Sequence, residues 1–206
     1  MCNYLRFGII NLMQQVYTTI FQGKKIPVFV DDSLFWSSLK MSSGRILIKK
    51  SLAGDIQKFT KEYNIFCKTR LEKIINKQVN KLLNKRVKVN IKYLKSDGTK
   101  FTKSERLSAK DHIKALEYNP TKIIIDLYEK QWGINKVDNR NKNYELHFNL
   151  NLIKYGTDDQ IQYVVAHEIT HIFYRNHDQE FYNLLRDYTG WGEKNSGIFG
   201  IVILPS

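Results

Sequence analysis

The chain is short of several residue types, and each shortage excludes something. Its 206 residues include two cysteines, Cys2 and Cys67, and three prolines. Two thiols without metal-type or framework spacing exclude a disulfide-stapled scaffold and fit a reducing compartment. No run of Ser, Gly or Pro marks a linker, and no internal repeat is visible. A membrane span needs about 20 consecutive apolar residues. The most apolar stretch near the start, MCNYLRFGIINLMQQVYTTIF, is broken by Asn3, Arg6, Asn11, Gln14 and Gln15. It also lacks the basic start and small-residue cleavage site of a signal peptide. A cytoplasmic location, with no membrane span, is the expectation. Nothing in the sequence specifies an oligomeric state.

What is present argues for a folded domain. A hydrophobic fraction of 42% with 13% aromatics is enough to build a core. Acids are outnumbered, 20 against 33 Lys and Arg, for a net charge of +13. The excess concentrates between Lys58 and Lys100, with thirteen basic residues against Glu62, Glu72 and Asp97. Such a segment can contact nucleic acid or phosphates non-specifically. Its bases are mostly lysines set between apolar helical positions, however, and no nucleic-acid-binding motif accompanies them. A solvated surface outweighs a phosphate site.

Periodicity places the elements. Leu5, Ile9, Leu12, Val16 and Ile20 repeat at helical spacing and predict an amphipathic first helix. KKIPVFV and GRILIKK read as strands, separated by a turn bearing Ser and Gly. Residues 55–83 turn helical, VKVNIKYL alternates as a strand, and SDGTK makes a turn. Residues 105–118 suggest a short helix ending before Pro120. TKIIIDLYEKQWG suggests a strand entering a turn at Gly133. In YELHFNLNLI, Leu146, Phe148, Leu150 and Leu152 fall on one face, and Glu145, His147, Asn149 and Asn151 on the other, as in a strand with one wet side. Thr157 and Gln160 have capping-box spacing, and another helix from Asp178 carries Phe181, Leu184, Leu185 and Tyr188. The apolar end, GIFGIVILPS, is expected to pack. Strands and helices without regular alternation indicate an α+β fold.

Histidine is scarce too: five in all, yet His167, His171 and His177 fall within eleven residues, in VVAHEITHIFYRNHDQEF. His167 and His171, four apart on a helix, share a face, while Ile161, Val165, Ile169 and Ile172 form the buried stripe behind them. Glu168 lies about 100° around from His167. It is placed to touch a water rather than the metal. This is the mechanics of HExxH, two imidazole ligands and a general base. Zinc with an open position needs a third ligand. His177, at the bend before Asp178 opens the next helix, fits best; Asp178 and Glu180 are weaker candidates. Chance alone would produce an HExxH in about one such chain in two hundred.

The segment HEITHIFYRNHDQEF resembles the signature of YgjP-like metallopeptidases: HExxH, five residues, His, then an aromatic-bearing helix. EKQWG resembles the family's Trp-Gly element at Trp132 and Gly133, HFNLNLI its Asn-bearing strand at Asn149, and IQYVVAHE the entry to the metal helix. The resemblance covers residues 120–191 well and the segments before them loosely. It divides the chain into residues 1–45, an N-terminal segment without a match, and 46–206, a peptidase domain. It implies a zincin-like fold, with a small mixed or antiparallel sheet packed on helices and the HExxH helix against it. It also implies Zn²⁺ held by His167, His171 and His177, Glu168 as catalytic base, and a peptide or protein substrate. The related SprT-like and WLM peptidases, associated with DNA–protein crosslinks, share the HExxH helix. The chain departs from the family pattern at Ile134-Asn135, where Ser-Cys is usual, and at Ile169, Asp178 and Tyr182, where Leu, Ser and Trp are usual.

Among the remaining candidates, His147 points from the wet strand face, with a surface role weighing more than substrate orientation. His112 reads as surface and Trp132 as core. Tyr155, Tyr174 and Arg175 stand as undifferentiated candidates for stabilising an oxyanion. If the His147 strand is the sheet edge over the cleft, it could pair an extended peptide. A nucleotide phosphohydrolase is the rival reading, opposed by the three imidazoles, since Mg²⁺ prefers oxygen ligands.

Overall fold

The computed structural model describes residues 14–119 and 121–190. The chain divides into two compact units, residues 1–66 and 67–206.

In the first unit, β1 (Gln15–Phe21) and β2 (Lys24–Val30) form an antiparallel hairpin. The turn between them, Gln22-Gly23, has φ of 49° and 73°. Two positive φ values make the two-residue turn whose twist suits a hairpin, and glycine takes the second at no steric cost. This turn decides against the predicted first helix, because Val16 and Ile20 lie in β1. Leu5, Ile9 and Leu12 lie outside the described residues. Strands β3 (Leu39–Ser42) and β4 (Arg45–Ile48) repeat the device through Ser43-Gly44, φ 47° and 73°. The sheet order is β1-β2-β4-β3, with β2 and β4 parallel. An aromatic row joins Tyr17, Phe59 and Tyr63, with ring centroids 4.9 and 5.7 Å apart. The Tyr17 and Tyr63 hydroxyls donate to the carbonyls of Ala53 (2.7 Å) and Ile20 (2.6 Å), so the half-buried Tyr17 and buried Tyr63 rings keep their polar tips satisfied.

The boundary between units falls within α1 (Ile56–Leu83), which Asp55 opens by accepting the Lys58 N–H. In the second unit its Cys67, Leu71, Ile75, Val79 and Leu82 are buried at three- and four-residue spacing. All thirteen bases from Lys58 to Lys100 are exposed, as a solvated surface requires. Strands β5 (Arg86–Leu94) and β6 (Lys100–Ser108) pair along their whole length. Residues 105–108 are therefore strand, and α2 (Ala109–Ala115) begins only after Ser108 caps it by accepting the Asp111 N–H. Pro120 lies outside the described residues.

A second sheet, β7 (Lys122–Asp126), β8 (Gly133–Asp138) and β9 (Asn143–Asn149), has the order β7-β9-β8. Strand β9 is parallel to β7 and antiparallel to β8. Two expectations change here. Gly133 opens β8 instead of a turn, and the strand bearing His147 is central, so β8 and β7 are the edges. The strand ends at Asn149, and α3 (Asn151–Tyr155) takes up what alternation had extended to Leu152. Helix α4 (Asp158–Thr170) carries the reciprocal Thr157–Gln160 capping box and packs on β8. Helix α5 (Gln179–Thr189), capped by Asp178, buries Phe181, Leu184, Leu185 and Tyr188 and packs on α4. The apolar C-terminal stretch lies outside the described residues. The architecture is α+β and zincin-like, with the HExxH helix against a small mixed sheet. Among the described residues no helix is long and apolar enough to cross a membrane.

Candidate active site

Helix α4 turns Ile161, Val165 and Ile169 into the core, and that fixes what its other face holds out. His167 and His171 stand one turn apart, and their Nε2 atoms are 3.2 Å from each other. After Thr170 the chain leaves the helix through tight turns, Phe173 N–H and Tyr174 N–H both donating to the Thr170 carbonyl. Asp178 then starts α5, and the short bridge swings His177 back so that its Nε2 lies 3.1 Å from that of His167. One nitrogen from each ring lies within 4.8 Å of the others. Phe181, fully buried, sets its ring 4.7–4.9 Å from all three imidazoles and forms the floor beneath them. Helical spacing assigns Phe181 only a core role; its position four residues after His177 is the signal for the second one.

The protons are constrained. A carbonyl can only accept, so His171 Nδ1–H donates to the Tyr174 carbonyl (3.0 Å), and its Nε2 keeps a lone pair facing the other rings. Burial, reinforced by its two histidine neighbours, lowers the His167 pKa to about 3, and burial lowers that of His171. These two rings are neutral at physiological pH. Asp178 and Glu180 do not join the cluster: the first caps α5 and the second accepts from Asn90 Nδ2 at 3.0 Å.

Glu168 is 5% exposed, and burial raises its pKa to about 8, with the Asn135 backbone pulling weakly the other way. Its position depends on a neighbour of unusual smallness. A Cβ on Gly133 would stand 2.6 Å from Glu168 Oε1 and 2.7 Å from its Cγ, closer than such atoms ever approach. Only glycine lets β8 pass this near the carboxylate. Asn135 Nδ2 donates to the Glu168 carbonyl at 2.7 Å, fastening the helix to the strand. Asn149, expected on a wet face, is fully buried. Its Nδ2 donates to the Tyr128 and Gln131 carbonyls (2.6 and 2.9 Å), and its Oδ1 accepts from Asn151 N–H. It ties down the loop that delivers Trp132 and Gly133, a long-range task that strand alternation cannot reveal.

Since Gly133 and Asn135 face α4 together with their cross-strand partners Phe148 and Leu146, His147 lies on the opposite face of the sheet. There its Nδ1 meets the Tyr128 hydroxyl at 2.7 Å and its Nε2 meets Glu145 Oε2 at 3.0 Å. His112, expected at the surface, is half-buried, 5.0 Å from the Phe173 ring, and burial lowers its pKa. Arg175 lines the cleft of the three histidines, whereas Tyr174 lines the neighbouring hollow and Tyr155 neither. The cleft is about 580 Å³, with β8 along one wall.

A sequence profile of the YgjP-like metallopeptidase domain matches residues 13–195. The chain belongs to the YgjP-like metallopeptidase family. The match includes much of the N-terminal segment in which the sequence alone offered no resemblance. No curated protein matches the chain. Family membership makes this YgjP-like protein a metallopeptidase-type hydrolase, one that implies a metal ion and acts on peptide substrates.

Proposed function

We propose that this YgjP-like protein is a zinc-dependent peptidase in which His167, His171 and His177 hold the metal and Glu168 is the catalytic base. The convergence of three imidazole nitrogens beside a buried carboxylate carries this reading. Tetrahedral zinc, with Zn–N of about 2.0–2.1 Å, sets its nitrogen ligands about 3.3 Å apart. The nitrogens at 3.1 and 3.2 Å already approach that spacing. A donor set of nitrogens without oxygen favours zinc or another late transition metal over Mg²⁺ or Ca²⁺.

When bound, such an ion acidifies water and polarises the scissile carbonyl. The chain's own part falls to Glu168, which takes a proton from the attacking water and delivers it to the leaving amine nitrogen. Burial strengthens its hold on a proton, as suits a group that must both take and return one. Substrate alignment falls to β8. The Asn149 N–H donates to the Trp132 carbonyl, so the antiparallel alternation turns Ile134 and Lys136 towards β9. Gly133, Asn135 and Val137 thereby offer backbone groups on the outer edge, where an extended peptide can add as a strand.

A nucleotide phosphohydrolase finds less support: none of the bases between Lys58 and Lys100 lines the cleft. A DNA-associated protease of WLM or SprT type would rest on that exposed charge alone, as would any non-specific nucleic-acid contact. Metal analysis tests the proposal directly. Purified protein should carry about one zinc per chain, and His177→Ala should weaken zinc binding by more than the 10–100-fold typical of outer contacts. Glu180→Ala should keep the metal. Zinc retained in His177→Ala but lost in Glu180→Ala would refute this ligand set.

A further inference from the structure

The cleft has two unlike sides. On one, Asn135, Asn139, Tyr144 and Arg175 present polar groups; on the other, a hollow of about 280 Å³ is walled by Trp132, Tyr163 and Val164. His167 and Glu168 belong to both. A chain lying across the reacting centre would therefore meet a polar wall on one side of the scissile bond and an apolar one on the other.

Arg175 decides the chemistry of the polar side. It is exposed, and among the described residues its guanidinium has no hydrogen bond or ion pair. Glu168 is the one carboxylate among the described residues lining that side, and it is buried beneath. Asp178 and Glu180, which share the next hollow with Arg175, are committed to the α5 cap and to Asn90. The backbone beside Arg175 is held twice, since the Tyr174 carbonyl accepts from His171 and its hydroxyl from the Asn90 N–H (2.9 Å). Arg175 is near enough for its charge to act on the Tyr144 phenol. An anchored arginine facing a cleft without an acid partner is suited to a carboxylate, which its planar fork can grip through two hydrogen bonds.

Resting on the peptidase reading above, we infer that the cleft selects peptides with a carboxylate on one side of the scissile bond, bound by Arg175. An apolar side chain on the other side enters the Trp132–Tyr163–Val164 hollow. The carboxylate can be an acidic side chain or the free C-terminus of a short peptide.

The test uses the zinc-loaded full chain and fluorogenic peptides carrying Leu on one side of the cleaved bond and Glu, Gln or Lys on the other, each with a free or amidated C-terminus. The Glu or free-terminus members should exceed the Gln amide by about tenfold in kcat/KM, the worth of an exposed charge-assisted pair. Comparing the two arms identifies the source of the carboxylate. Arg175→Gln should abolish the preference and Arg175→Glu should reverse it towards Lys, with zinc content unchanged. Binding of the same peptides to zinc-loaded Glu168→Gln, read by fluorescence anisotropy, should show the same order and separates this inference from the peptidase reading. If no peptide is cleaved but acidic peptides bind through Arg175, the peptidase reading fails and the anion site stands. Charge-blind cleavage and binding, no binding at all, or an acidic preference that survives Arg175→Gln overturns the inference.

Discussion

One histidine and a cluster of three lie on opposite sides of the sheet β7-β9-β8, and their partners differ. On the outer side, His147 spends both ring nitrogens: the Glu145 carboxylate can only accept, so Nε2–H donates to it, and Nδ1 is left to Tyr128. On the α4 side, His167, His171 and His177 turn nitrogens towards one another, without a carboxylate among them. A partnered imidazole has nothing left for a ligand. Convergent ring nitrogens with no carboxylate to hold them are an arrangement suited to a cation. The difference lies in available lone pairs, and substitutions on either side of the sheet can test it.

The largest effect should come from Glu168→Gln. The amide keeps the shape and reach of the side chain but cannot take the proton. Zinc content should stay at wild type while peptide hydrolysis falls by about 10²–10⁴-fold, the usual worth of a positioned base. An unchanged rate with zinc bound would remove Glu168 from the mechanism.

Glu168 and His167 make opposite forecasts for the stability of metal-free protein. Burial lifts Glu168 from the ordinary 4.5 to about 8, so between those values the folded chain holds a proton that the unfolded chain has lost. Stability should therefore fall as pH rises through that window. His167, lowered from 6.5 to about 3, is neutral when folded and charged when unfolded between those values, so its contribution rises with pH up to about 6.5. Urea titrations in chelator should find Glu168→Gln more stable than wild type near pH 8–9 by a few kcal/mol. The two should converge near pH 4–5. Parallel curves would mean that the carboxylate is not held in a dry site.

Gly133→Ala should act through Glu168, because the three atoms nearest the added Cβ all belong to that side chain. Hydrolysis should drop by about 10–100-fold with zinc retained, as expected for a base displaced by a fraction of an ångström. In a Glu168→Gln background the same change should cost little more. Additive losses would show that Gly133 serves the fold in general.

The elements that the sequence revealed are those set by local chemistry. The 3.6-residue period of α4, the Thr157–Gln160 box, the Asp178 cap and the shared face of His167 and His171 are all decided within a few residues. What it missed depends on partners far along the chain. Alternation sent Asn149 to water, but the loop from Tyr128 to Gln131 folds over it and claims its amide. Strand order is set by packing, so nothing in VKVNIKYL or YELHFNL says which strand lies at an edge. The first helix failed for a different reason. Val16 and Ile20 satisfy a helical period by spacing alone, while Gln22-Gly23 turns the chain into a hairpin. Gly133 was visible as a family element, but its purpose becomes clear only with Glu168, 35 residues later, against it.

The smallest effect should come from the outer face. His147→Ala removes a ring that bridges Tyr128 and Glu145 and leaves both without that partner. Each net hydrogen bond is worth about 1 kcal/mol, and these groups are only partly buried, so water can replace much of what is lost. Thermal unfolding should shift down by a few degrees. Zinc content and kcat/KM should stay within about twofold of wild type, because the sheet stands between this ring and the cleft. Tyr128 adds a subtler channel, since its carbonyl accepts from Asn149, which in turn holds the loop leading to Gly133. If that route matters, His147→Ala should lower kcat without lowering zinc content, and a Gly133→Ala background should mask the loss. A large loss of zinc in His147→Ala would instead place the outer histidine in the metal's service and erase the distinction between the two faces.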